Sequence, residues 1–104
     1  MGLISAFFRQ TATITPFVRQ GNGEPVYGEP EERPCRMERG KHIKTAHVNA
    51  DGQIDDVVAD AKMFCEGEAI PPDSKVECDG QQFTVINCRV MNGFADHHLE
   101  VMLM

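Results

Sequence analysis

The sequence has no tryptophan, a single tyrosine among 104 residues, and no long apolar run. No segment approaches the roughly 18–20 apolar residues that a bilayer-spanning helix needs, so we expect no membrane partner. The first ten residues lack a basic segment and a small-residue cleavage site, so we expect no secretory signal. A chain of this length should form one domain, residues 1–104, with one modest core.

Positive charge is also scarce, with 10 Lys and Arg residues against 16 Asp and Glu and a net charge of −6 at pH 7. A protein that reads nucleic acid needs a basic face to displace counterions from phosphates. The charge balance therefore argues against a nucleic-acid reader. An acidic protein can still act next to DNA if its role is to let DNA pass without binding it.

The four cysteines, Cys35, Cys65, Cys78 and Cys88, are too far apart in sequence for a Cys-x-x-Cys zinc or redox motif. Three of them lie in strand-like runs, where a free thiol behaves as a small buried hydrophobe. We expect reduced, buried cysteines rather than disulfides.

Motifs for catalysis are missing too: there is no nucleophile elbow, phosphate-binding loop or dinucleotide fingerprint. Glu31-Glu32 and Asp55-Asp56 are in polar surroundings, whereas general acid–base chemistry needs one shielded carboxyl group. His97-His98 cannot chelate one metal together, because neighbours on a strand point to opposite faces. We therefore predict no enzyme activity and no catalytic, cofactor-binding or metal-binding residues.

At the start of the chain, Leu3, Ile4, Phe7 and Phe8 share one side of a predicted short helix over the first ten residues. A helix of about ten residues is marginal alone in water, so its apolar stripe needs a surface to pack on. That surface is either the chain's own core or a neighbouring subunit. These four residues are candidate subunit-docking residues.

Beyond this helix the sequence is typical of strands and turns. Alternation over Thr11–Val18 predicts a strand that is bulged or at an edge at Pro16. Gln20–Gly23 is a cluster of turn residues. Glu24–Pro34 is typical of an extended segment that crosses the protein surface, and Cys35–Arg39 is typical of a short strand.

The last third of the chain predicts three further strands. Ile70–Ser74 is a turn, Lys75–Cys78 is a strand, and Asp79-Gly80 makes a tight hairpin turn into Gln82–Val90. The shared faces are Thr84, Ile86, Cys88 and Val90 on the second strand and Leu99, Val101 and Leu103 on the last. Several short strands with turn signals favour a mainly β fold, a small barrel or sandwich.

Segment 41–66 is compatible with two structures. Asp51-Gly52 is a strong turn dipeptide, so the flanks could be the strands of a long hairpin, with Val57, Ala59, Ala61, Met63 and Cys65 on one face. A helix is the alternative, because Ile54, Val57, Val58, Ala61 and Cys65 also follow helical spacing. Pattern alone leaves both open.

Taken in order, several segments resemble the head–tail connector (head-completion or stopper) proteins of long-tailed phages and prophages. The resemblance covers nearly the whole chain and depends on order, spacing and length rather than on any single motif. Its segments are Phe7-Phe8-Arg9-Gln10, Thr11-Ala12-Thr13 leading to Pro16, the Pro-Gly stretch Gly23–Pro30, Cys35-Arg36-Met37-Glu38, Asn49-Ala50-Asp51-Gly52, Ile70–Val76, Gly80–Ile86 and His97–Leu103. The four cysteines, and Asn22-Gly23 in place of an aromatic-Gly pair, depart from the pattern.

The resemblance implies a small β-barrel repeated as a ring below the portal or adaptor, with no catalytic residues. It favours the hairpin for segment 41–66 and implies that the hairpin tip gates or lines the DNA channel, which makes Asn49, Asp51, Gly52, Asp55 and Asp56 the candidate channel-facing residues. The implied partners are copies of itself, portal, adaptor and tail proteins, and DNA that passes without sequence-specific binding. The implied location is the virion head–tail junction, with the host cytoplasm during assembly.

Two other functions are compatible with the sequence. One is a stand-alone β-barrel that binds a small ligand or a metal. The other is a minor capsid or tail-completion protein at a different position in the virion.

Overall fold

In the computed structural model, which describes residues 10–48, 52–92 and 97–104, every regular element is a β-strand. The strands are β1 (Gln10–Thr15), β2 (Phe17–Gln20), β3 (Pro25–Tyr27), β4 (Glu31–Val48), β5 (Ile54–Cys65), β6 (Lys75–Cys78), β7 (Gln81–Asn92) and β8 (His97–Leu103). The mainly β prediction is confirmed. The predicted helix, with Leu3, Ile4, Phe7 and Phe8, lies outside the described residues. Within the described ranges no helix could cross a membrane.

Six strands close into a barrel in the order β1-β4-β5-β8-β7-β6, and each neighbouring pair is antiparallel. The barrel is one of the two architectures that the sequence predicts. Strands β2 and β3 pair with each other in a separate two-stranded sheet, which we call the ribbon. Pro16 falls between β1 and β2, because a residue without an N–H ends the barrel strand there.

The barrel interior is filled by side chains from every barrel strand and by Ile70 from the connection after β5. The predicted alternation in β8 is confirmed, since Leu99, Val101 and Leu103 are all buried in this interior. All four cysteines are free; Cys88 is partly buried and the other three are fully buried, as expected.

Residues 41–48 and 54–65 of segment 41–66 are strand, so the helical alternative is wrong. Strands β4 and β5 form one long hairpin whose register runs from Cys35 opposite Cys65 to Val48 opposite Ile54. Two smaller expectations are corrected as well. Glu24–Pro34 contains β3 and the start of β4, and Cys35–Arg39 is the middle of an 18-residue strand. The prolines and glutamates of this segment are tolerated because most of their side chains are exposed.

The turn between β6 and β7 forms where Asp79-Gly80 predicts it. Both residues have positive φ, 53° and 78°, as a tight type I′ turn requires. The predicted face of β7 is wrong, however, because a bulge between Val85 and Asn87 reverses the alternation. Val85 and Cys88 pack in the interior cluster, while Ile86 belongs to a separate outer cluster.

Candidate functional site

The β4–β5 hairpin continues past the residues that pair with β1 and β8, and this extension is the candidate functional site. Strand β4 pairs with β1 up to Cys35, and β5 pairs with β8 only from Ala61 onward. Residues 43–48 and 54–60, which we call the arm, pair with each other. The arm therefore has an outer strand, 54–60, with no barrel strand along its second edge in the described part of the chain.

A bulge separates the arm from the barrel part of the hairpin. Arg39 lies opposite Ala61 and Ile43 lies opposite Ala59, so three residues of β4 face a single residue of β5. Two of these three residues are extra, and Gly40 is one of the three, as glycine in a strand often marks a bulge. Bulges bend and twist a strand pair, so the arm leaves the barrel in a new direction.

One face of the arm packs on the outside of β7 and β8. Ala59 is fully buried against Ile86 and Met102, and Val57 packs on the same cluster. The Asn87 amide nitrogen donates hydrogen bonds to the Thr45 hydroxyl at 2.7 Å and to the Ala46 carbonyl at 3.0 Å. A small apolar cluster and one asparagine thus fix the direction of the arm.

The opposite face of the arm is exposed and mixes apolar with acidic side chains. Ile54 is 68% exposed and Val58 is 52% exposed. Asp56 and Asp60 alternate with them on the same face of the strand and are exposed as well. Apolar side chains this open on a strand edge are unusual, because natural edges are normally protected against pairing with other chains.

Three of the five predicted channel-facing residues lie within the described part of the chain, at or next to the distal end of the arm. Gly52 is exposed with a φ of +83°, which favours glycine there, and Asp56 is exposed opposite Ala46. The backbone of Asp55 lies opposite His47. Asn49 and Asp51 lie outside the described residues. Two strands therefore lead to the predicted Asp51-Gly52 turn.

Burial favours the protonated form of three thiols, those of Cys35, Cys65 and Cys78. Burial raises the pKa of Cys35 to about 12, with the neighbouring Cys78 adding to the effect, and raises the pKa of Cys65 to about 11. Burial also raises the pKa of Cys78. Because the thiolate is the reactive form, these cysteines behave as apolar core residues near neutral pH.

His98 lies on β8 beside Phe64, with ring centroids 5.9 Å apart. Its Nδ1 is buried and has no hydrogen-bond partner among the described atoms. Across the described ranges, no three His, Cys, Asp or Glu side chains converge as metal ligands would.

Sequence reasoning missed Asn87, Ile86 and the exposed apolar face of the arm. A weak signal for Asn87 exists, because it is the one amide in the mainly apolar run Val85–Val90. The exposure of Ile54 and Val58 has no such signal, since β-branched residues in a strand are ordinarily read as core.

No protein-family model, curated protein or solved structure matches this chain. What the chain does is therefore inferred from the arm, the barrel and the order of segments along the sequence.

Proposed function

We propose that this chain is a non-enzymatic structural component of the head–tail junction of a tailed phage or prophage, of the head-completion or stopper kind. In this role, copies form a ring below the portal or adaptor, join the tail, and gate or line the channel through which DNA passes. Assembly takes place in the host cytoplasm. The observation that carries the proposal is the long acidic arm on a closed barrel.

The barrel suits a ring component because closure removes the free edges of a sheet. Its interior is packed with side chains, Met63, Ile14 and Leu103 among the largest of them. Identical barrels can therefore lie side by side without their strands pairing at random. Contacts between copies are then left to the segments that project from it, the arm and the ribbon.

The arm suits a channel because its distal part is acidic. From Thr45 to Ala61 the sequence has four aspartates, Asp51, Asp55, Asp56 and Asp60, and no lysine or arginine. Repeated around a ring, these carboxylates would form a negative collar that repels DNA phosphates. The collar would act over about 8 Å at physiological salt, the Debye length, so it needs no direct contact with DNA.

Deletion of the gene from its phage or prophage tests the proposal. We expect DNA-filled heads and free tails that do not join, with a plasmid copy restoring intact virions. Immunolabelling should place the protein at the neck of the complemented particles. Intact, infectious virions from the deletion strain, or virions that lack the protein, would refute the proposal.

A further inference from the structure

We propose that the outer edge of the arm binds the ribbon of a second copy of this chain, so that copies associate head to tail. The inference rests on the proposed function only in taking a second copy as the partner. Each copy would present one acceptor, the β5 edge from Ile54 to Asp60, and one donor, the β2–β3 ribbon.

The acceptor edge has both the backbone and the side chains for strand addition. Residues 54–60 are paired on one side with β4, while β8 pairs with β5 only from Ala61. An added strand could hydrogen-bond along this edge, as in β-augmentation. Ile54 and Val58 would supply apolar contacts, and Asp60 would supply an exposed negative charge.

The donor ribbon has the complementary character. Val18 is 58% exposed and Arg19 is exposed next to it. A second cation is close by, because the Lys75 ammonium lies 4.7 Å from the centre of the Tyr27 ring. The exposed side chains of β2 are therefore apolar and basic where the arm edge is apolar and acidic, and the exposed carboxylate of Glu24 lies outside β2, in the turn before β3.

The ribbon is also held firmly enough on the barrel to present these groups. The backbone N–H of Phe17 donates a 2.8 Å hydrogen bond to the hydroxyl of Ser74, which is fully buried. Phe17 packs edge-on against Tyr27, with ring centroids 5.9 Å apart. Preorganised elements lose less conformational entropy on binding.

Charge decides between the two ways in which copies could use the arm edge. If two β5 edges paired with each other, the aspartates of both copies would be brought together, and like charges across a strand pair are destabilising. Pairing of edge with ribbon instead sets Arg19 and Lys75 near Asp56 and Asp60. Such a contact is heterologous, and a heterologous contact repeats from copy to copy and closes into a ring when the rotation allows.

The contact should be weak in isolation. One edge and one ribbon are short elements, whereas stable interfaces bury about 1,200–2,000 Å². A covalent trap is therefore the suitable measurement. We would mix Val18→Cys and Val58→Cys proteins at high concentration with oxidised glutathione and measure disulfide-linked dimers.

We expect dimers in the Val18→Cys plus Val58→Cys mixture and few in either variant alone. A matched control pairs Val18→Cys with Val90→Cys, because Val90 is 53% exposed but lies on β7. The unmodified chain should not cross-link, since its native thiols are fully or partly buried. Equal yields in the test and control mixtures, or efficient cross-linking of Val58→Cys with itself, would overturn the proposal.

A charge exchange gives a second, independent readout. Asp60→Arg or Arg19→Asp alone should lower the cross-linking yield roughly fivefold, as for an exposed ion pair, and combining them on opposite partners should restore it. Glu32→Arg makes the same charge change at an exposed site on β4 and should leave the yield unchanged. Loss without restoration would overturn the charge complementarity. Because these measurements use purified protein, they fail or succeed independently of the deletion experiment on virions.

Discussion

Arg33 occupies the space into which a side chain at Gly67 would project. A Cβ built on Gly67 would lie 3.1 Å from the Arg33 guanidinium carbon. The same guanidinium donates hydrogen bonds to the carbonyls of Glu66 at 3.2 Å and Glu68 at 2.8 Å and is paired with Glu31. Arg33 thus ties β4 to the connection that carries Ile70 into the barrel interior.

Gly67→Ala should destabilise the protein for two reasons. The backbone φ of +111° is strained for any residue with a Cβ, which costs about 1–3 kcal/mol, and Arg33 would have to move as well. The measurement is the free energy of unfolding by denaturant titration.

Gly23→Ala is the matched control, because Gly23 also has a positive φ, +80°, but nothing within 4 Å of its added Cβ. The loss should be larger at Gly67, because the Arg33 guanidinium stands against the added Cβ only there. Equal losses would show that backbone strain alone is responsible.

Stability should fall as the pH rises above 9. The pKa of Cys35 is about 12 and that of Cys65 about 11 in the folded protein, against 9.0 for an unperturbed thiol. Between pH 9 and these values the unfolded chain loses protons that the native state keeps, so the free energy of unfolding decreases with pH. Below pH 9 both states keep the protons and these thiols contribute no slope.

The pH dependence can be assigned by comparison with a Cys35→Ala, Cys65→Ala double variant. All other ionisable groups are the same in both proteins, so the difference between the two pH profiles belongs to the two thiols. The double variant should lose stability less steeply above pH 9. Identical slopes would mean that the two thiols do not contribute.

Asn87→Ala should release the arm while the barrel stays folded. The substitution removes both hydrogen bonds to the arm, at about 0.5–1.5 kcal/mol each. Backbone amides of residues 54–60 should then exchange with solvent faster, while those of β8 keep their protection, as measured by hydrogen–deuterium exchange.

Thr45→Val gives a graded control, because it removes one acceptor and leaves the Ala46 carbonyl as the other. Its effect on exchange in the arm should be intermediate. Unchanged exchange in Asn87→Ala would show that the apolar cluster of Ala59, Ile86 and Met102 suffices to hold the arm.

Local signals predicted part of this fold and long-range contacts determined the rest. The Asp79-Gly80 turn and the alternation of β8 depend on neighbours in sequence, so they could be predicted directly. The course of segment 41–66 could not, because the same residues satisfy both periods. The bulge at Ile86 lies beneath the arm, and the arm residues that pack on Ile86 are distant from it in sequence.

The candidate site, too, could be predicted from the sequence only where its features are local. The acidic turn around Gly52 is visible in the sequence because turn dipeptides and charges are local features. The exposure of Ile54 and Val58 is not, since it depends on whether a distant part of the chain packs on that face of the arm. A strand pattern indicates which side chains share a face but not whether another element covers that face.

The last prediction concerns the acidic end of the arm in the virion. Reversing Asp51, Asp55 and Asp56 to Lys should leave the fold intact, because the sequence predicts all three in a polar hairpin turn and its flank, where substitutions usually cost within about 0.5 kcal/mol. Under the proposed function the variant replaces part of a repulsive collar with six units of more positive charge per copy, counted as two for each residue. The variant should therefore bind DNA phosphates during ejection, or its particles should lose packaged genome before the tail attaches.

The measurement is complementation of the deletion strain, with filled heads, tail attachment and infectivity scored separately. Infectivity should fall while the purified variant keeps the unfolding free energy of the original chain. A Glu32→Lys, Glu68→Lys, Glu77→Lys variant carries the same change in total charge at exposed sites away from the arm and the ribbon, so it separates a channel effect from a general charge effect. If both triple variants behave alike, or if the arm variant is fully infectious and retains its genome, the aspartates are solvated surface groups without a channel role.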